Sequence, residues 1–194
     1  MSDEKFTATQ IGEIICDAWG LEQGARNNLQ HKVRYTAKKG YLRNGTKADA
    51  RGTLEFPKSE VFRAAIFCEF LEADADINRI GEAINHAERF TPTVNPASAR
   101  APKGGGFEYS GGGLAVAVRG VAACENWRFI VSRARSPLAD GKAIYGRYLW
   151  SGEDESDDDS KALSIFYGKP HAALIQEVDL NAAFGDIIKK IGKL

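Results

Sequence analysis

The chain has 194 residues, its 26 Lys and Arg are balanced by 26 Asp and Glu, and 43% of it is hydrophobic. Such proportions fit a folded globular protein of one domain or two and exclude wholesale disorder. No apolar run approaches a membrane span, and the charged start Met1-Ser2-Asp3-Glu4-Lys5 lacks the apolar core of a secretory leader, so a cytoplasmic protein with no membrane partner is expected.

Thr9 can cap a first helix, from about residue 9 to 19, whose apolar positions Ile11, Ile14, Ile15, Ala18 and Trp19 recur at helical spacing, with Gly20 closing it. A second helical pattern runs to Lys39 through Leu29, Val33 and Ala37 and stops at Gly40. From Tyr41 to Phe56 the chain reads as a hairpin: Tyr41 and Leu42, an Asn44-Gly45 turn, then Gly52 to Phe56. Pro57 suits the first turn of a third helix, with Val61, Ala64, Ala65, Phe67, Cys68 and Leu71 as a wide apolar stripe. A fourth helix, Asp76 to Ala87, carries Ile77, Ile80 and Ile84 on one face.

Residues 91–113 read TPTVNPASARAPKGGGFEYSGGG, with three prolines, six glycines and no sustained period. This marks a linker between a unit at 1–90 and a second at 114–194, with no core shared between them. Gly113 to Ala123 fits either a helix or a buried strand, whereas Trp127 to Arg135 alternates as a strand does. Ala143 to Trp150, Ala162 to Tyr167 and Ala172 to Val178 are further strands. Asp179 or Asn181 caps a closing helix, Leu180 to Ile191, with Leu180, Phe184, Ile187, Ile188 and Ile191 as its stripe. The expected class is α+β, a mostly helical N-terminal unit with a small hairpin and a C-terminal antiparallel sheet with one or two helices.

The even charge balance hides a local excess. From Arg26 to Arg51 there are eight Lys and Arg against the single acid Asp49. A solvated helix face normally mixes signs, so this stretch points to a polyanion. Arg34, Lys38, Lys39, Arg43, Lys47 and Arg51 are candidate phosphate contacts. Arg26, Asn27, Gln30 and His31 are candidates for base edges, and Tyr35 lies among them. The order helix, helix, hairpin, helix, helix, with the charge on the second helix and the hairpin, is what a winged helix-turn-helix needs.

The run Val33-Arg34-Tyr35-Thr36-Ala37-Lys38-Lys39-Gly40-Tyr41-Leu42 resembles the segment that closes the recognition helix of MerR-type regulators, where Leu-Arg-Tyr-Tyr-Glu-x-x-Gly-Leu-Leu is typical. Gly52 to Phe56 resembles the end of their wing, and Pro57 to Leu71 with Ile77 to Ile84 resembles the two helices that follow. Thr36 stands in place of the second tyrosine, and Leu54 where the wing commonly has arginine. The resemblance spans residues 7–89 and implies a winged-helix domain on double-stranded DNA. In that family a long helix after the fourth forms the dimer, but Pro92, Pro96 and Pro102 break such a helix here. A homodimer is therefore expected through the C-terminal half, which is also the expected seat of a small-molecule or protein effector.

Other chemistry is weakly signalled. Cys16, Cys68 and Cys124 are too few and too far apart for a disulfide framework and sit among apolar neighbours, as buried free thiols do. His31, His86 and His171 lack ligand spacing, so neither metal nor cofactor is expected. The acidic run Glu153 to Asp159 reads as a solvated turn, and Ser132, Ser136 and Ser164 lack a nucleophile elbow. Trp127, Tyr145, Tyr148, Trp150, Phe166 and Tyr167 read as sheet core, with a ligand pocket as the alternative. The expectation is a sequence-specific DNA-binding transcriptional regulator without enzyme activity. The alternatives are a phage or recombination-type DNA-binding component, excisionase-like or a packaging subunit, and an enzyme with its site in the C-terminal half.

Overall fold

The computed structural model describes residues 4–89, 113–135, 142–150 and 173–192. The expected strand at Ala162 to Tyr167, the acidic run Glu153 to Asp159, His171, nearly all of the Pro/Gly segment and the side chains of Tyr145, Trp150, Phe166 and Tyr167 lie outside the described residues.

The fold is α+β. Strand β1 (Lys5–Thr7) leads into helix α1 (Ala8–Ala18), followed by α2 (Gln23–Lys38), the short strands β2 (Thr46–Lys47) and β3 (Leu54–Pro57), α3 (Ser59–Glu72) and α4 (Ile77–Arg89). After the Pro/Gly segment come α5 (Gly113–Ala122), β4 (Trp127–Arg135), β5 (Lys142–Trp150), β6 (Ala173–Asp179) and α6 (Leu180–Ile191). The strands form two antiparallel sheets of three, ordered β1-β3-β2 and β5-β4-β6, the second with a bulge between Val131 and Ser132.

Local chemistry accounts for the helix ends. Thr7, not Thr9, caps α1 through a capping box: the Gln10 N–H donates to Thr7 Oγ1 at 3.3 Å, and the Thr7 N–H donates to Gln10 Oε1 at 2.8 Å. The shift follows from β1, which pairs with β3 and brings the chain in extended up to Thr7. Helices α1 and α2 close at Gly20 and Gly40, whose φ of 62° and 77° lets Leu21 N–H reach Cys16 O at 3.0 Å and Tyr41 N–H reach Thr36 O at 3.1 Å. Helix α5 ends the same way with Cys124 at φ 61°, Glu125 N–H donating to Gly120 O at 2.9 Å. That turn explains why Cys124 is exposed, contrary to the expected burial, while Cys16 and Cys68 are buried free thiols.

The hairpin differs from its expected form. Residues 41–43 are not a strand and Asn44-Gly45 is not its turn; the turn lies between β2 and β3. Leu42 is drawn into the core, and Arg43 N–H donates to Glu60 Oε2 at 2.9 Å, so packing against α3 takes up the residues that alternation assigns to a strand. Pro57 ends β3 rather than opening α3.

Helix α3 is buried on nearly every side, from Glu60 through Cys68 and at Phe70. Its aromatic residues reach both parts of the chain: Phe67 packs on Tyr41, Phe62 edge-on against Phe184 of α6, and Phe70 edge-on against Phe129 of β4. Trp19 Nε1 donates to Ala183 O at 3.1 Å, so α1 is also tied to α6. One hydrophobic core therefore runs through both parts, whereas an independent core was expected for residues 1–90. The Pro/Gly composition of 91–113 says nothing about whether the elements on its two sides repack against each other.

At the surface, Asp17 at the end of α1 accepts from Arg26 of α2 at 2.5 Å and from Lys190 of α6 at 2.8 Å. These bonds, that of Lys190 first, hold its carboxyl below the ordinary value of 3.8. A lowered acid pKa stabilises the fold above the unfolded chain's pKa, and this contribution disappears as pH falls through the lowered value. Asp17→Asn is expected to lower the urea midpoint near neutral pH, with the gap to wild type closing in acid below the carboxylate range. The shared core makes a second expectation: Phe184→Ala costs about 3–5 kcal/mol, and circular dichroism and tryptophan fluorescence report one common unfolding transition.

Candidate nucleic-acid interface

Helix α2 has two faces of opposite character. Leu29, Val33 and Thr36 are buried, and the Thr36 hydroxyl is satisfied within the helix by donating to Lys32 O at 2.9 Å. Opposite them Asn27, His31, Arg34 and Lys38, at spacings of four, three and four, form one exposed stripe. Tyr35 flanks this stripe at 38% exposure, with Lys39 Nζ 5.6 Å from its ring centroid. The hairpin adds exposed Lys47 and Arg51 on either side of its turn.

The remaining predicted residues are engaged elsewhere. Arg26 pairs with Asp17. Gln30 is half-buried with its stem against α1, where a Cβ on Gly12 would lie 3.1 Å from Gln30 Cγ. Arg43 is half-buried: it donates to Asn85 and pairs with Glu88 Oε2 at 2.7 Å. Lys32, in the same basic run, pairs with Glu72 at 2.6 Å. Of the eight cations from Arg26 to Arg51, Arg34, Lys38, Lys39, Lys47 and Arg51 have no carboxylate partner among the described residues.

Asp49, the one acid of that stretch, builds the hairpin turn. Thr53 donates to it twice, N–H to Oδ1 and hydroxyl to Oδ2, both at 2.9 Å, and Gly52 takes the left-handed φ of 83° the turn requires. The Thr53 N–H, the larger influence, and its hydroxyl hold the Asp49 carboxyl below the ordinary range. Its charge is thus spent on turn geometry, which sets the spacing of Lys47 and Arg51.

Between helix and hairpin lies an open groove of about 290 Å³ lined by Thr7, Thr9, Arg34, Lys38, Thr53 and Leu54 with neighbouring apolar atoms. Leu54 is 42% exposed there. Sequence reasoning missed the threonines, although Thr7 followed three residues later by Gln10 is a legible capping signature that places the start of α1. The start of α1, with its partial positive charge, and two cationic side chains give the groove a positive potential. Lys190 had no local signal, because it meets Asp17 across 173 residues of chain.

Among the described residues no group of three or more His, Cys, Asp or Glu side chains is placed to hold a metal ion. His31 is exposed on the α2 stripe and His86 Nδ1 lies 3.3 Å from Gly146 O. Trp127 and Tyr148 are core residues of the second sheet. No helix among the described residues is long and apolar enough to cross a membrane. No family model, curated protein or solved structure matches the chain.

Proposed function

We propose that the chain is a sequence-specific DNA-binding transcriptional regulator, with α2 entering the major groove and the β2–β3 hairpin following the adjacent backbone as a MerR-like wing. The observation that carries this reading is the stripe Asn27, His31, Arg34 and Lys38, which combines base-reading and phosphate-binding side chains on one exposed face. The order β1-α1-α2-β2-β3 supports it, since the hairpin directly follows the helix and pairs back onto β1. The positive groove between them suits a phosphate of the backbone. Arg43 leaves the set of phosphate contacts in this reading, because its guanidinium is committed to Asn85 and Glu88.

Selection of bound sequences from random duplex DNA tests the reading, and failure to retain duplex at low salt overturns it. Arg34→Ala and Lys38→Ala are expected to weaken binding to all sequences alike and to make the salt slope shallower by about 0.9 for each phosphate that is no longer neutralised. Asn27→Ala and His31→Ala are expected to change the preferred sequence, by about 1–3 kcal/mol of discrimination for each direct base contact.

The proposed stoichiometry is a homodimer paired through the C-terminal half, since one recognition helix reads too few base pairs for useful specificity. Sedimentation of the full chain on its selected site is expected to give two copies of the 21.1 kDa protein. A single copy on the site removes this part of the proposal and leaves the rest.

A further inference from the structure

Helix α4 is held between two parts of the molecule. On one side Asn78, Gly81, Asn85 and Glu88, at spacings of three, four and three, form a stripe against residues 41–43. The Tyr41 ring lies so close over Gly81 that a Cβ there would collide with it, and its hydroxyl donates to Asn78 Oδ1 at 2.7 Å. Arg43 reaches Asn85 and Glu88 from the same segment. On the other side the Ala83 carbonyl meets β5 at Gly146, where a Cβ would strike it, and His86 Nδ1 sits 3.3 Å from the Gly146 oxygen.

A buried ionic network reinforces the first of these contacts. Arg63 of α3 pairs with Glu60 at 2.7 Å and with Glu88 at 2.6 Å, and the Arg43 N–H donates to Glu60. Two carboxylates and two guanidiniums alternate, so the cluster is neutral, and removing Arg63 leaves the buried Glu60 carboxylate without a cation. Tyr148 of β5 is buried within the electrostatic reach of Glu88 and Arg63, its ring 4.8 Å from that of Phe129.

The hairpin itself is lightly anchored. Residues 44–54 are all exposed, so the segment at 41–43, the pairing of β3 with β1 and the buried Phe56 ring beneath Gly45 supply its main attachments. An exposed segment with few buried neighbours opens at low free energy and takes its orientation from its root. Close packing at Gly81 and Gly146 leaves no slack through which a shift of α4 can be absorbed.

We propose that α4 is a lever: the position of β5 in the C-terminal sheet sets, through α4 and the strap Tyr41–Arg43, the angle of the hairpin against α2 and so the strength of nucleic-acid binding. The binding half of this statement rests on the function proposed above, whereas the mechanical half does not. Arg43 is then a positioning residue, and the C-terminal half controls the binding surface without touching it.

The test uses the full-length chain with three substitutions outside the α2 stripe. Gly146→Ala pushes α4 from the β5 side, His86→Ala removes its bond to β5 without adding volume, and Tyr41→Phe cuts the strap by one hydroxyl. Hydrogen exchange at the hairpin amides of Ala48 and Thr53 is measured first, without DNA. Each folded variant is expected to speed it about fivefold, the scale of one neutral hydrogen bond. Affinity for random duplex is then expected to fall by a similar factor with the salt slope unchanged, because every phosphate-binding side chain is still present. Unaltered hairpin exchange in His86→Ala and Tyr41→Phe overturns the lever, as does a weaker affinity accompanied by a shallower slope. Faster exchange in a protein that retains no duplex supports the mechanical coupling and removes its proposed use in DNA binding.

Discussion

Because α3 is buried on nearly every side, the other elements take their positions from it. Phe62, Phe67 and Phe70 point to α6, to the root of the hairpin and to the second sheet, and each is almost fully buried. A fully buried phenylalanine is worth roughly 1.5–3 kcal/mol, so truncating any one of the three removes a large share of a typical net stability. The same helix carries Arg63 into the core, where its charge is balanced because Glu60 and Glu88 arrive with it. Apolar packing fixes where the elements lie, and the ionic cluster fixes how α4 and residues 41–43 are registered against α3.

This arrangement sorts the basic residues by role. A run of cations in sequence becomes two sets in space, one neutralised by acids from distant segments and one left on the outer face of α2 and the hairpin. Asp17, Glu72 and Glu88 do the neutralising, drawn from α1, α3 and α4. The exposed set is smaller than the sequence count suggests but more ordered, since helical periodicity aligns it in one stripe. Asp49 opposes the charge of this set on paper and serves it in fact, by holding the turn that carries Lys47 and Arg51.

The C-terminal half is integrated with the N-terminal half at several levels: α6 packs on α1 and α3, β4 on α3, and β5 on α4. A displacement in that half is therefore felt at α1, α3 and α4 through shared packing. Gly146 and Gly81 permit this because the absence of a side chain lets strand and aromatic ring approach α4 closely from two sides.

The sequence by itself determined what depends on neighbours a few residues away. Gly20 and Gly40 end their helices because only a left-handed residue closes that turn, Trp127 to Arg135 alternates as a strand must, and Asp179 caps α6 through Asn181 and Ala182. The excess of cations on α2 was legible too, but the grouping of Asn27 and His31 with Arg26 and Gln30 gave way to the stripe Asn27, His31, Arg34 and Lys38 once Arg26 met Asp17 and Gln30 packed on α1. Tertiary structure alone decided what depends on partners far along the chain. Leu42 alternates like a strand residue yet is buried under α3, Arg43 looks like a phosphate contact yet finds Glu88, and Arg26 meets Asp17 while Lys190 joins them from the far end. The continuity of the core across the Pro/Gly segment belongs here too: linker composition reports local flexibility, whereas burial of α3 on nearly every side requires the second half to cover what the first leaves exposed.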